Sequence, residues 1–356
     1  MEAEGRQLHI DALRGVAVAL MVMVHAAATW NPISTSQLSP LAYIVSGLGG
    51  LAAPLFVTLL GWGLMKANLS SRQRWTRASF FFASQFLVNL SASHLFELFT
   101  PGILSLMGLL VLSEPLWTKP FRAYRNPILP FSLISMLCCI IIIFFPDLQG
   151  ESAWSIRVHT PDALTALSHL FLTGTYPLFP WVLFAALGAI LQSTDSQTLT
   201  PFYAGSITFG LIFSTLTLAF SVSTQQAWAL PSGEAVLTFF PSNAPFLIAA
   251  MTGVLLIWSS SPYLLSRATI LAQTGRTSLT IYVAHFIPLA LFHTVDQTNN
   301  WSLTQSSAVV LIYTMGWVLI GALWYRRAPK ATLEHFMRAI GTDTKSSQAS
   351  TSIELQ

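Results

Sequence analysis

Arg14 and His25 are the two residues whose types and spacing most readily do chemistry. They lie in IDALRGVAVALMVMVHAAA, residues 10–28. On a helix they fall on one face, about 20° apart in azimuth and about 16 Å apart along the axis. Asp11 shares that face, three residues before Arg14, where it can neutralise the guanidinium. An imidazole deep in an apolar run can act as a general base when its ring is neutral. A guanidinium near the entry can place an anionic substrate. Plain structural roles exist for the same residues: Arg14 can snorkel to the interface, and His25 can bond a neighbouring helix. Ionisable groups inside a spanning segment point by default to function, and the shared face strengthens that reading.

A second set lies late in the chain. His285 follows Arg276 by nine residues, which puts the two on opposite faces of a helix and turns Arg276 toward the cytoplasmic rim. Tyr282 and Ser278 share the His285 face. If His25 and His285 sit at similar depth, a two-histidine centre becomes available. KANLSSRQRWTR, residues 66–77, carries Arg74 and Arg77 in an Arg-x-x-Arg spacing. Guanidinium forks of this kind bind phosphate, although ordinary interfacial charge is the competing explanation. Lys119, Arg122 and Arg125 read as interfacial charge. His94, Glu97, Asp162 and His169 could together line a site on the far side; singly, each reads as a solvated loop end. Trp30, Trp154, Trp181 and Trp301 fit an interfacial aromatic belt.

The elements that must position these residues are membrane helices. The chain has 356 residues, of which 53% are hydrophobic and only 9% charged. Soluble domains average about 25% charged, so no soluble domain is evident. The net charge of +3 says little about partners, and no nucleic-acid partner is expected. Apolar runs of spanning length recur near 10–30, 41–65, 78–98, 101–118, 127–145, 166–192, 203–222, 236–258, 277–295 and 304–325, about ten in all. With the N-terminus in the cytoplasm, threading these runs leaves both termini cytoplasmic. Arg6, Arg14, Lys66, Arg72, Arg74, Arg77, Lys119, Arg122 and Arg125 then fall on the cytoplasmic side. So do Arg267, Arg276, Arg326, Arg327, Lys330, Arg338 and Lys345. Of the 17 basic residues only Arg157 lies outside, the asymmetry that positive-inside threading requires. The segment before the first run is long and carries Glu2, Glu4 and Asp11, unlike the short basic start of a cleaved signal, so the run is expected to stay as a span.

Two outside segments exceed turns: 146–166, with Asp147, Glu151, Arg157, His159 and Asp162, and 223–245, mixed polar and aromatic and read as partly re-entrant. Residues 341–356 are polar, rich in Ser and Thr, and read as a disordered tail. Cys138 and Cys139 are adjacent within an apolar run, which fits neither a disulfide framework nor a metal site. Phosphate-loop, EF-hand and zinc-helix motifs are absent, and no metal is expected.

IDALRGVAVALMVMVH resembles the opening motif of the transmembrane acyltransferase superfamily. Arg14 and His25 meet the Arg-x10-His spacing of its acyltransferase-3 branch, where the resemblance implies a catalytic histidine and an arginine that helps place the acyl donor. The wording IDALRG…M…H followed by AAPLFVTLLGWGL is closer to the heparan-alpha-glucosaminide N-acetyltransferase catalytic-domain family. TYPLFPWVLFAALGAIL (175–191), GRTSLTIYVAH (275–285) and RRAPKATLEHFMR (326–338) resemble further elements of the superfamily, the last with Pro-Lys in place of the usual Gly-Pro. Arg74 and Arg77 resemble a second element of the acyltransferase-3 branch. One departure bears on mechanism. The lysosomal enzyme that names the family has a reactive histidine in a luminal loop, whereas TWNPISTSQLSP here contains none. Histidine chemistry in this chain must therefore come from His25 or His285.

The resemblance implies an all-α polytopic bundle, with residues 1–340 as one acyltransferase domain. It implies transfer of an acyl group, acetyl foremost, from cytoplasmic acyl-coenzyme A to a hydroxyl or amine on a sugar or glycolipid at the far face. His25 and His285 would be catalytic, with Asp11, Arg14, Arg74, Arg77 and Arg276 around the donor, acetyl-CoA. The protein would sit among membrane lipid, the plasma membrane by default. The alternative from the residues alone is a transporter or flippase for a small polar solute, since intramembrane His, Arg and Tyr also suit a proton relay. Oligomeric state is not legible.

Overall fold

A computed structural model describes residues 7–30, 45, 47–194 and 196–341. Arg6, Lys345, residues 31–44 and those beyond 341 lie outside the described residues. The helices are α1 (Leu8–Thr29), α2 (Ala52–Lys66), α3 (Ser71–Ser91), α4 (Ile103–Leu112), α5 (Glu114–Ala123), α6 (Ile128–Phe144), α7 (Trp154–Val158), α8 (Ala163–Ser168), α9 (Leu178–Ser193) and α10 (Ser196–Thr224). After two short strands, β1 (Ala229–Ser232) and β2 (Leu237–Phe240), come α11 (Ala244–Leu264), α12 (Thr269–Gly275), α13 (Ser278–Ala284), α14 (Phe286–Leu291), α15 (Val295–Thr298), α16 (Leu303–Arg327) and α17 (Leu333–Gly341). The strands pair in parallel, Ala229 opposite Leu237 and Ser232 opposite Phe240. They occupy the mixed segment that the sequence marks as irregular, and the rest of the described chain is essentially all-α.

Among the described residues, six helical segments are long and apolar enough to cross a bilayer: Leu8–Thr29, Gly47–Lys66, Thr198–Thr224, Ala244–Leu264, Ser278–Thr298 and Leu303–Arg327. Ala163–Thr173 with Leu178–Ser193 makes a seventh if that pair, bent by 50°, is one span. The chain is thus a multi-pass integral membrane protein. The other apolar runs take shorter or more polar form. α4 stops at Ser113, where the amphipathic α5 begins, and α6 spans only Ile128–Phe144. α3 spends its first two turns on Arg72, Arg74 and Arg77. The run near 236 opens as strand rather than helix, so its helix starts only at Ala244. The bend in the seventh pair falls at Gly174–Pro177, where Pro177 has no amide donor and biases Tyr176 away from helix.

Four helix starts carry side-chain caps. Ser70 with Gln73, and Ser302 with Gln305, form reciprocal capping boxes at α3 and α16. Asn243 accepts from the Phe246 amide at α11, and Asp162 accepts from the Thr165 amide at α8. α9 is buried continuously from Pro180 to Leu191 and packs along α2. α6 and α10 instead expose Leu133, Met136, Leu137, Phe209, Ile212 and Leu216, as lipid-facing helices do. Cys138 and Cys139 are free thiols.

α1 packs against α12 and α16. In lipid this association draws on close van der Waals packing rather than on hydrophobic burial, so small residues at the seam matter. Gly15 and Gly275 are those residues. A Cβ on Gly15 would enter the Leu271 carbonyl, and a Cβ on Gly275 would enter the Asp11 carbonyl. Gly316 on α16 has open space where its Cβ would be. Gly275→Ala is therefore expected to destabilise by about 1–3 kcal/mol through overpacking. Gly316→Ala, free of any clash, should gain about 0.5–1 kcal/mol. Thermal unfolding of both in one detergent checks the contrast, and a Gly275→Ala midpoint at or above wild type would refute the backbone seam.

Candidate active site

The seam sets the depth of two histidines. His25 on α1 and His285 between α13 and α14 meet through Nδ1 of His25 and Nε2 of His285, 2.8 Å apart. The rings are within 10° of parallel with centroids 5.1 Å apart, so they meet edge to edge through that bond rather than face to face. His285 Nδ1 lies 3.0 Å from the Ile281 carbonyl, which can only accept. With both rings neutral, this chain of bonds has one proton arrangement. His285 carries its proton on Nδ1, its Nε2 accepts, and His25 donates from Nδ1. The Nε2 of His25 is left with a free lone pair.

Aromatic rings enclose the pair. Phe286 lies 4.8 Å from the His25 ring and 4.3 Å from the His285 ring, centroid to centroid. Tyr282 approaches His25 edge-on at 6.2 Å, and Trp317 approaches His285 at 6.5 Å. The Tyr313 hydroxyl donates to the His285 carbonyl at 2.6 Å. His285 is fully buried, whereas His25 is half-buried.

Both ends of α1 are pinned. At the C-terminal end, Trp30 Nε1 donates to the Phe292 carbonyl at 2.8 Å, and the Ser306 hydroxyl donates to the Trp30 carbonyl. At the N-terminal end, Asp11 is buried and accepts from Arg14 Nη1 and from Arg276 Nε, both at 2.9 Å. Arg276 also donates to the Tyr325 hydroxyl at 2.8 Å and lies over that ring. The sequence pairs Asp11 with Arg14 correctly. Arg276, expected at the cytoplasmic rim, is tied to α1 through Asp11.

Arg74 donates to the Leu69 carbonyl and the Ser71 hydroxyl and stands 3.5 Å from buried Glu114. Glu114 also holds Arg122 at 3.0 Å. The Arg77 guanidinium makes no hydrogen bond among the described residues; burial and the like charge of Arg338 on α17 lower it from the ordinary value. α17 is anchored by Glu334, whose carboxylate accepts from the amides of Leu279 and Thr280 and from the Thr280 hydroxyl. It thereby caps the helix that leads to His285. Burial raises the Glu334 carboxyl against the pull of those donors.

The far-side set assembles in part. Glu97 stands 2.7 Å from His159 and accepts from the Thr160 amide, and His169 Nε2 is 3.0 Å from the His159 carbonyl. Asp162 only caps α8, where the Thr165 amide holds its carboxyl below the ordinary range. His94 leaves this group and stacks on His293, with centroids 4.6 Å apart. The sequence analysis misses His293, Phe286, Tyr313, Tyr325, Glu114 and Glu334. Only Glu334 carried a signal, inside the TLE…R stretch. Among the described residues, no three His, Cys, Asp or Glu side chains group as metal ligands.

Residues 6–219, more than half of the chain, match the profile of heparan-alpha-glucosaminide N-acetyltransferase, catalytic. The chain belongs to that family. It is accordingly a membrane acetyltransferase of the family, and the resemblance carried by IDALRG and His25 is borne out. The match covers α1 with Asp11, Arg14 and His25, and α3 with Arg74 and Arg77; Arg276, His285 and Glu334 lie beyond it. No curated protein matches the chain.

Proposed function

We propose that this family member transfers an acetyl group from cytoplasmic acetyl-CoA to a hydroxyl or amine of a sugar or glycolipid at the far membrane face. The observation that carries the reading is the His25–His285 bond, whose proton arrangement leaves His25 Nε2 as an unprotonated nitrogen near the C-terminal end of α1. His25 Nε2 removes the proton of the acceptor hydroxyl or amine as that atom attacks the thioester carbonyl. The new C–O or C–N bond forms, the C–S bond breaks, and the proton passes to the departing thiolate of coenzyme A. While His25 is protonated, His285 Nε2 accepts from its Nδ1–H and Ile281 orients His285. This is the part a carboxylate plays in a serine-hydrolase triad. Transfer through an acetyl-histidine on the same nitrogen uses the same geometry.

Arg14, part-exposed at the inner rim, would face the donor, while Asp11 and Arg276 hold the rim together. Arg77, with Arg338 beside it, would meet the phosphates, and Arg74 would support that loop through Glu114. The threading by about ten runs, with both termini cytoplasmic and the plasma membrane as site, belongs to this proposal.

The test needs no acceptor. Purified protein is unfolded thermally with and without acetyl-CoA, beside Arg14→Ala and His25→Ala. Ligand at a hundred times its dissociation constant should stabilise by about 2.7 kcal/mol. The rise is expected in wild type and His25→Ala and should shrink in Arg14→Ala. No rise at millimolar acetyl-CoA in folded protein would overturn the donor assignment and favour solute transport.

A further inference from the structure

α17, LEHFMRAIG, has unlike sides. Leu333, Phe336, Met337 and Ile340 fall at i, i+3, i+4 and i+7, which makes one apolar stripe. Leu333 packs against the bundle core, whereas Phe336 and Ile340 are exposed. The charge around the stripe is positive. Arg338 is on the helix, and Arg326, Arg327 and Lys330 lie just before it. Arg327 and Lys330 are exposed and have no hydrogen-bond or ion-pair partner among the described residues. The helix's single acid, Glu334, is turned into the bundle.

The chain path puts α17 at the membrane surface. α16 is long and apolar enough to cross the bilayer and ends at Arg327, and a single 3-10 turn, Pro329–Ala331, separates it from α17. α3, on which α17 packs, exposes Trp75 near its start, a residue type of the interface. An apolar stripe flanked by cations at that height fits the headgroup boundary of an anionic leaflet. The chain's own tail is a poorer occupant, because residues 342–356 offer only Ile353 and Leu355 as large apolar side chains. Glu334 ties this surface helix to the interior. Its carboxylate accepts from the Leu279 amide at 2.6 Å, the Thr280 amide at 3.3 Å and the Thr280 hydroxyl at 2.6 Å. The same hydroxyl accepts from the Leu333 amide at 2.9 Å. Thr280 precedes His285 by five residues. We propose that α17 is an interfacial helix that binds the headgroups of anionic phospholipid and, through Glu334, makes the seating of α13 depend on that lipid. The inference goes beyond acetyl transfer and does not rest on it.

The experiment uses the full chain in non-ionic detergent and reads thermal unfolding. Phosphatidylglycerol is the probe, with phosphatidylcholine of the same acyl chains as its zwitterionic match and glycerol 3-phosphate as the free-anion arm. Phosphatidylglycerol is expected to raise the wild-type midpoint by several degrees, with the other two leaving it in place. Two double variants, Phe336→Gln with Ile340→Gln and Arg327→Gln with Lys330→Gln, change exposed residues only. Both should unfold near wild type without lipid and lose most of the rise. Glu334→Ala should also lose it, because lipid bound to α17 then no longer stabilises α13. If Glu334→Ala does not fold, Thr280→Val decides. It keeps the branched shape, removes the hydroxyl shared by Glu334 and Leu333, and should cut the rise by half or more. No rise in wild type, an equal rise with phosphatidylcholine or glycerol 3-phosphate, or a full rise in either double variant would overturn the lipid seat. A full rise in Glu334→Ala, or in Thr280→Val where it decides, would overturn the link to α13. A protein stabilised by acetyl-CoA and not by phosphatidylglycerol would remove this inference and leave the functional reading standing; the reverse result would do the opposite.

Discussion

Replacing His25 by alanine is expected to lower acetyl transfer by about 10²–10⁴-fold, the range a positioned general base contributes. The fold should survive, because His25 is half-buried and α1 is held at both ends, through Asp11 at its start and Trp30 just past its end. Transfer is measured in membranes as acetyl release from the thioester, with expression and unfolding midpoint as controls. His285 acts on the reaction only through His25, by accepting from its Nδ1–H. His285→Gln places an amide oxygen that can take over that role, whereas His285→Leu cannot. The glutamine variant should therefore keep more activity than the leucine variant, although leucine suits the buried site at least as well. Full transfer by His25→Ala would remove the assignment outright. Equal loss in both His285 variants would reduce that residue to packing.

What the sequence disclosed depended on distance along the chain. Arg14 and His25 share a face because helical periodicity alone decides it, and Asp11 reaches Arg14 for the same reason. The similar depth of His25 and His285 could be read from the spans. Their hydrogen bond could not, since it joins residues 260 apart and depends on how α1 seats against α12 and α16. The Asp11–Arg276 pair, 265 residues apart, was hidden likewise; only the close approach at Gly15 and Gly275 brings it about. Hydropathy counted runs, and runs are not helices of equal length. Nothing in the composition of 101–118 says that α4 stops at Ser113, or in that of 166–192 that the chain bends before Pro177. Arg74 read as a free cation because Glu114 lies one hairpin away. The family resemblance identified the right opening motif, but the second histidine came from a stretch beyond the matched region.

Asp11→Asn should cost more stability than any other conservative change in the chain. Asp11 is buried and stands between two guanidiniums, so one carboxylate compensates charge on α1 and on the α12–α13 junction together. Asparagine keeps the shape but offers one oxygen and no charge, and it turns an N–H toward an arginine donor. Removing one partner from a buried pair typically costs about 3–5 kcal/mol. Arg14 and Arg276 are partly exposed and can recover some hydration, which places the expected loss toward the lower end of that range. The same change loosens the clamp that sets α1 against the helix leading to His285, so transfer should fall even where the protein still folds. A double-mutant cycle separates the two effects. Asp11→Leu combined with Arg276→Met removes the Asp11–Arg276 pair and should recover part of the stability lost in Asp11→Leu alone, because the second change removes one of the two stranded cations, leaving Arg14. Activity should recover less than stability, since the charged clamp at the rim is still gone. If Asp11→Asn unfolds within a degree of wild type, the buried carboxylate is not what joins the two motifs, and the close backbone packing of Gly15 and Gly275 alone must hold His25 to His285.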